Sequence, residues 1–277
     1  MNFSHAIDKY LIEILITKSK NHRVMSTQEL EYWSTRLGKT PSGQPRALSK
    51  VTPVMIRDNL PTGVGPATKN RYLSALSAFY NVCIIDWELV KENPVAKVRR
   101  FLEPKGRVRY LSDDERYRLL EACRASKHPY LYVIVVIALS TGMRRTEITT
   151  LSRDQIDFNR QTLTLWDTKN KEPRVVPLVG LAHELVSKLP RTNKKLFPGS
   201  NIRYYWEKAV KEARVDNYTF HDNRHTAASY MAQAGVPLYT IGEILGHKSL
   251  EMTKRYAHLS TEHLRGPLQG LNDMMFK

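Results

Sequence analysis

Apolar residues recur at helical spacing along almost the whole of this 277-residue chain, and the period changes once, between Ile156 and Leu178. That interruption points to a mainly α fold with one small antiparallel sheet. Near the start, Ile7, Tyr10, Leu11, Ile14 and Leu15 share one face of a helix expected from about Ser4. Ser26 to Glu29 reads as a capping box ahead of Leu30, Trp33 and Leu37. Thr52 and Pro53 suit an N-cap and the first helical position. Thr68 opens the clearest helix, with Tyr72, Leu73, Leu76, Phe79, Tyr80 and Cys83 on one side. No strand pattern competes, so residues 1–102 are expected to form an all-α domain.

A junction follows Asn93-Pro94. Phe101 to Arg109 holds Pro104, Gly106 and the cations Lys105, Arg107 and Arg109 without any period, and residues 103–110 read as a basic linker. Residues 111–277 then read as a second domain. Ser112 to Glu115 is a capping box for a helix reaching about Ala125. Tyr130 to Leu139 is apolar all round and suits a buried helix, stopped at Gly142 by a left-handed residue. Met143 to Glu147 restarts a helix. Ile156 and Phe158, Leu163 and Leu165, and Val175, Val176 and Leu178 mark three short strands, with turns at Asn159-Arg160 and Lys169-Asn170. Helices are expected again near 181–189 and 200–213, before a short apolar helix stopped by Gly246. His247 is expected to start a further helix, capped by Ser249, with Tyr256 about two turns in.

Charge narrows the partner. The chain has 43 Lys and Arg against 27 Asp and Glu, a net charge of +16. Both parts share the excess, +6 over residues 1–103 and +10 over residues 104–277, so it is no isolated tail. Nucleic acid is the first candidate and an anionic membrane surface the second. The longest apolar run is half of the roughly 20 residues that span a bilayer. Asp8 and Glu13 interrupt the N-terminal apolar stripe, unlike a signal peptide. Cys83 and Cys123 lie in apolar helical patterns, which suits a reducing cytoplasm better than a disulfide scaffold. Lys69 and Arg71, with Lys105, Arg107 and Arg109 of the linker, are the candidate DNA contacts; a solvated surface would explain each equally well alone.

Between His221 and Tyr256 lie two imidazoles (His221 and His247), a guanidinium (Arg224) and a phenol (Tyr256), groups suited to gripping and attacking a phosphate. His221 and Arg224 share a helix face. Arg144 sits at a glycine turn beside the buried helix, where Glu147 can orient it. Lys169 at a hairpin tip can reach a neighbouring site. Taken singly, each has a plain structural reading. H-D-N-R-H also has the HxxxH spacing of zinc ligands, with Asp222 where a glutamate base would stand, but no third ligand follows at a familiar distance. A non-enzymatic regulator is another reading, since 226–245 resembles a helix-turn-helix. It leaves Arg144, His247 and Tyr256 unexplained.

T-G-M-R-R-T-E (141–147), T-K-N…R-V-V-P-L (168–178), H-D-N-R-H-T (221–226), L-G-H-K-S (245–249) and K-R-Y-A-H-L (254–259) together resemble the tyrosine recombinases, or phage integrase family, in order and spacing. The likeness covers about 108–260, and more loosely 67–80 and 92–97. It implies a two-domain DNA clamp, with residues 1–102 as a core-binding domain and 111–277 as the catalytic domain. Arg144 and Arg224 would hold the scissile phosphate, Lys169 would be the hairpin lysine (Lys171 the alternative), His221 and His247 the two histidines, and Tyr256 the nucleophile. Glu147 matches the acidic position supporting the first arginine. Asn223 stands where the family has leucine. The hairpin tip reads K-N-K-E where a glycine is common.

The chemistry follows from the residue types. Two arginines can bind the non-bridging oxygens and stabilise the transition state, with His247 adding a hydrogen bond. His221 is the expected acceptor of the Tyr256 proton, and Lys169 the donor to the departing 5′ oxygen. A covalent 3′-phosphotyrosine stores the bond energy, so rejoining needs no ATP, and fixed cations stand in for a metal; no cofactor is expected. The resemblance further implies double-stranded recombination sites as partner, a homo-tetramer on paired sites, accessory DNA-bending proteins as candidates, no membrane, and a place in the cytoplasm at the nucleoid, as for a mobile genetic element. A type IB topoisomerase would share the chemistry but act as a monomer without choice of site.

Overall fold

Asn2 accepts a hydrogen bond from the His5 N–H and so caps α1, Phe3–Glu13. α2 (Lys20–Leu37), α3 (Pro53–Asp58) and α4 (Pro66–Ile85) follow. The computed structural model describes residues 1–104, 106–166, 173–199, 201–259 and 265–276. The chain divides into two compact units, Met1–Gly106 and Arg107–Lys277.

In the first unit the expected apolar faces converge on one core that includes Phe3, Trp33, Leu73, Leu76, Phe79 and Tyr80. Phe79 meets Phe3 and Tyr10 edge to face, with ring centroids 5.8 and 5.6 Å apart. Two helix starts differ from expectation. α2 begins at Lys20, ahead of Ser26, which lies buried inside it. The capping box does not form because Ser26 is itself within the helix and not at its N-cap; the carboxylate of Glu29 instead accepts from Arg71 Nε at 3.2 Å. α4 starts at Pro66 rather than Thr68, with Gly65 as its cap. Thr52 caps α3 as expected, its hydroxyl accepting from Met55 N–H at 3.3 Å.

The second unit opens with α5 (Asp113–Arg124), whose capping box is complete: Glu115 N–H donates to Ser112 Oγ at 3.2 Å and Ser112 N–H to Glu115 Oε2 at 3.0 Å. α6 (Leu131–Thr141) is the central helix of this unit's core. Gly142 ends it at φ +62°, and α7 (Arg145–Thr149) follows. The sheet is antiparallel in the order β1 (Ile156–Asp157), β2 (Thr162–Leu165), β3 (Arg174–Pro177), with Leu163 opposite Val176 and Leu165 opposite Arg174. Leu163, Leu165 and Val176 face the core, while Val175 faces out, the two-residue alternation of a half-buried sheet. α8 (Gly180–Ser187) and α9 (Arg203–Glu212) complete that core, while α10 (Asp222–Gln233) and α11 (Leu238–Leu245) form a smaller apolar cluster of their own, and Gly246 stops α11 at φ +66°.

Beyond Gly246 the chain forms 3₁₀ turns at Leu250–Met252 and Lys254–Leu259, not the α-helix expected after Ser249. Three residues per turn place Thr253 and Tyr256 on one edge, and both are buried. α12 (Arg265–Phe276) runs on through Gly266, Pro267 and Gly270, with Pro267 tolerated in the first turn, and exposes Leu268, Leu271, Met274, Met275 and Phe276. Among the described residues no helix is long and apolar enough to cross a membrane.

Gly142 is the tightest backbone position near the centre. An added Cβ would stand 2.3 Å from Leu245 Cδ2, at a φ that side-chain-bearing residues avoid. Gly142→Ala is expected to destabilise this unit by about 1–3 kcal/mol, read from urea unfolding midpoints.

Candidate active site

Two glycine-stopped helices, α6 and α11, end beside the same side chain. Arg224, in the first turn of α10 and 4% exposed, donates from Nη1 to Gly142 O at 2.8 Å and from Nη2 to Leu245 O at 2.6 Å. The last carbonyls of a helix lack partners within it and carry its negative pole, so they are a natural seat for a buried cation. Burial, with Arg144 and Arg174 nearby, draws the Arg224 pKa down to about 10, which leaves it charged at neutral pH. A guanidinium has five N–H donors, and two carbonyls do not exhaust them.

Arg144 lies just before α7. Its backbone N–H donates to Glu147 Oε2 at 2.8 Å and its Nη1 to Glu147 Oε1 at 2.7 Å, so one carboxylate fixes both backbone and guanidinium. The same carboxylate takes a second cation, Arg174 of β3, whose Nη2 lies 3.2 Å from Glu147 Oε2. Arg174 Nη1 also donates to Ile244 O at 3.1 Å. Arg174 therefore ties the sheet to Glu147 and to the end of α11. It was visible in R-V-V-P-L, but its spacing along a strand gives no hint of these partners. Two arginines on one carboxylate leave net positive charge. A cavity of about 390 Å³ opens beside Arg144, lined also by Arg145, Thr146, Thr219 and His221.

The imidazoles are held separately. His247 Nδ1 shares a 2.7 Å hydrogen bond with the hydroxyl of buried Thr253, leaving Nε2 to reach a ligand. Burial, reinforced by Arg224 and Arg144, lowers its pKa to about 4. His221 stands at the N-cap position of α10 without a side-chain capping bond, and its pKa is also lowered, first by burial and then by Arg224. The phenol of Tyr256, 1% exposed, does not meet His221 as its partner. Its hydroxyl lies 2.6 Å from Nδ1 of His225, one helical turn deeper in α10. The expected partner of this phenol was His221, but the contact falls on His225: His221 is at the mouth of the helix, whereas the 3₁₀ turn carrying Tyr256 packs farther along it. Burial raises the phenol's pKa, against the opposing pull of Arg255 and Arg224.

Other expected residues take varied places. Lys169, Lys171 and Lys105 lie outside the described residues. Lys69 sits over the Phe101 ring, 5.1 Å from its centroid, and Arg71 pairs with Glu29. Arg107 Nη2 contacts Asp222 Oδ2 at 2.9 Å. Asp222 also accepts from the Thr219 N–H and hydroxyl, so it is engaged where the zinc reading would need a free base. Arg109 was expected to face DNA. Its guanidinium instead grips Glu115, donating from Nη1 to Oε2 at 3.0 Å and from Nη2 to Oε1 at 2.5 Å, and fastens the linker to the cap of α5. Asn223 is fully buried and satisfied, accepting from the Tyr218 hydroxyl at 3.0 Å and donating to Phe220 O at 3.0 Å. A polar residue thus fits where leucine was expected, because Tyr218 supplies its partner.

Comparison with known proteins agrees with this architecture. Residues 109–263 match the model of the phage integrase family. A shufflon-specific DNA recombinase of Escherichia coli is 34% identical over 94% of this chain and 69% of its own length. The integrase of Salmonella phage P22 is 31% identical over 74% of this chain, which spans only 57% of that protein. A solved lambda integrase dimer bound to a COC′ core site shares the fold, with a TM-score of 0.74 over 93% of this chain and 77% of that one, at 18% identity. The chain belongs to the phage integrase family. It is a tyrosine-type site-specific recombinase.

Neutral imidazoles in the fold make stability depend on pH. His225 and His247 both fall from the ordinary value of 6.5 to about 4. Between those values the unfolded chain binds more protons than the folded one, so acid favours unfolding. Stability is expected to be level in this respect above pH 6.5 and to decline as pH falls towards 4. Thermal unfolding across that range should show a smaller decline for a His225→Asn, His247→Asn double variant.

Proposed function

We infer that this protein cuts and rejoins double-stranded DNA at specific sites through a covalent 3′-phosphotyrosine. The observation that carries the reading is the held geometry of one cluster: Arg224 is fixed by Gly142 O and Leu245 O, Arg144 by Glu147, His247 by Thr253, and the Tyr256 hydroxyl stands against His225. An anionic phosphodiester resists an anionic nucleophile unless its charge is first offset. Arg144 and Arg224 are the groups assigned to the non-bridging oxygens, where preorganised cations stabilise the charge that builds in the transition state. His247 adds a hydrogen bond through Nε2, His221 faces the same phosphate, and Glu147 holds Arg144. Tyr256 Oη attacks phosphorus, and Lys169 is assigned to protonate the 5′ oxygen that leaves. The cluster supplies its own positive charge, so the reaction is expected to proceed in chelator.

The two units divide the work in this reading: residues 1–102 form the core-binding domain, 103–110 the basic linker and 111–277 the catalytic domain. Lys69, Arg71, Lys105 and Arg107 are assigned to DNA phosphates, together with the basic cavity of about 710 Å³ edged by Arg57, Lys97, Arg99 and Arg100. Recombination joins two duplexes, which calls for a tetramer on paired sites. The apolar residues of α12 are assigned to a neighbouring protomer, and accessory DNA-bending proteins are candidate partners.

A nicked duplex carrying the protein's own site, recovered by selection of bound DNA, tests the chemistry. In EDTA the native protein is expected to form an adduct that survives denaturing electrophoresis, and Tyr256→Phe none. Arg144→Ala and Arg224→Ala are expected to slow adduct formation by about 10²-fold or more. An equal adduct from Tyr256→Phe would sink the reading. Deletion of residues 265–277 is expected to abolish recombination between two sites while cleavage of one nicked site persists; unimpaired recombination would remove α12 from the assembly.

A further inference from the structure

Two imidazoles stand one turn apart on α10, and the inner one meets the phenol. The rings of His221 and His225 lie edge to face, their centroids 5.3 Å apart at 87°. His225 is 9% exposed and Tyr256 1%, so little water competes for the 2.6 Å contact between Nδ1 and Oη. Tyr256 is fixed from its other side as well. Its N–H donates to Thr253 O at 3.0 Å, and its ring packs in a cluster with Ala228, Ala232, Ile241 and Leu245. Burial keeps the proton on the phenol, and with the ring proton of His225 on Nε2 the phenol donates to Nδ1.

We propose that His225 Nδ1 takes the Tyr256 proton during strand cleavage and returns it during rejoining. The assignment rests on Tyr256 being the nucleophile and replaces His221 in that step, leaving His221 to the phosphate. In cleavage the Oη–H bond breaks as Oη–P forms, the proton passes to Nδ1, and the P–O5′ bond breaks with the departing oxygen protonated by Lys169. In rejoining the 5′ hydroxyl attacks phosphorus and gives its proton back to Lys169. The Tyr256 Oη–P bond then breaks, and Oη recovers its proton from the His225 imidazolium.

The surroundings explain why the proton stays put without DNA. Among the described residues His221, Asp222, Arg224, Arg255 and the neighbouring imidazole of His247 act on His225 besides the phenol, and of these only Asp222 favours a positive ring. A phosphodiester seated on Arg144 and Arg224 brings negative charge into that field and favours the imidazolium. The base is thus competent when substrate is present, and the nucleophile stays protonated otherwise.

Single-turnover cleavage of the nicked site distinguishes this step from the others. His225→Asn and His225→Gln are expected to cleave about 10²-fold more slowly than the native protein, the usual worth of a positioned base. A 5′-bridging phosphorothiolate, whose sulfur leaves without protonation, should not restore them. Placing 3,5-difluorotyrosine at position 256, which acidifies the phenol, should recover most of the loss in the His225 variants and little in His221→Asn. Binding of the intact site and thermal unfolding show that each variant is folded; if one is not, the other carries the comparison. Cleavage by both His225 variants within threefold of native would overturn the proposal, as would a loss that the acidified phenol fails to repair. Repair of His221→Asn instead would return the step to His221. Absence of any adduct from the native protein would be a different failure, that of Tyr256 as nucleophile.

Discussion

The buried guanidinium of Arg224 is the point on which the catalytic unit depends. Its two carbonyl partners, on Gly142 and Leu245, belong to helices far apart in sequence. Each exists as a free acceptor because a glycine in the left-handed conformation ends the helix there. Removing water from a guanidinium is costly, and the exposed negative poles of two helices offset that cost while fixing the plane of the fork. Both helix ends must arrive together, so the position of Arg224 reports that α6, α10 and α11 have packed.

Around it the charges form a connected set. Glu147 joins Arg144 to Arg174, and Arg174 reaches back to Ile244 at the end of α11. The sheet, the turn after α6 and the turn before His247 are therefore tied through one carboxylate. Burial first, and this crowding of cations second, keeps the nearby imidazoles neutral, which suits them to accept or share hydrogen bonds until an anion enters.

Much of this was legible from residue spacing. The apolar face of α4, the fully apolar α6, the Ser112 capping box and the glycine stops at 142 and 246 are local features, decided by neighbours within one or two turns. The false start at Ser26 shows the limit of that logic, since α2 begins at Lys20 and Glu29 pairs with Arg71, 42 residues away. Residue spacing likewise gave no sign that the linker cations Arg107 and Arg109 pair with Asp222 and Glu115. The site was legible as a set of residue types, and the phage integrase motifs gave its membership, but not who touches whom.

His221 and His225 show why. At 3.6 residues per turn both His221 and His225 fall on the face that carries Arg224, so periodicity alone could not choose between them. The choice was made by the 3₁₀ segment from Lys254 to Leu259, which drives Tyr256 into the groove above Ala228 and Ala232 and sets its hydroxyl at His225. Sequence by itself determined most of the helices, the glycine stops at 142 and 246, the small sheet and the family, but not the 3₁₀ turns after Ser249. Tertiary structure decided which imidazole faces the phenol, which carbonyls hold Arg224 and which carboxylate binds two arginines. Those partners are brought together by the packing of distant elements, and no local period encodes that.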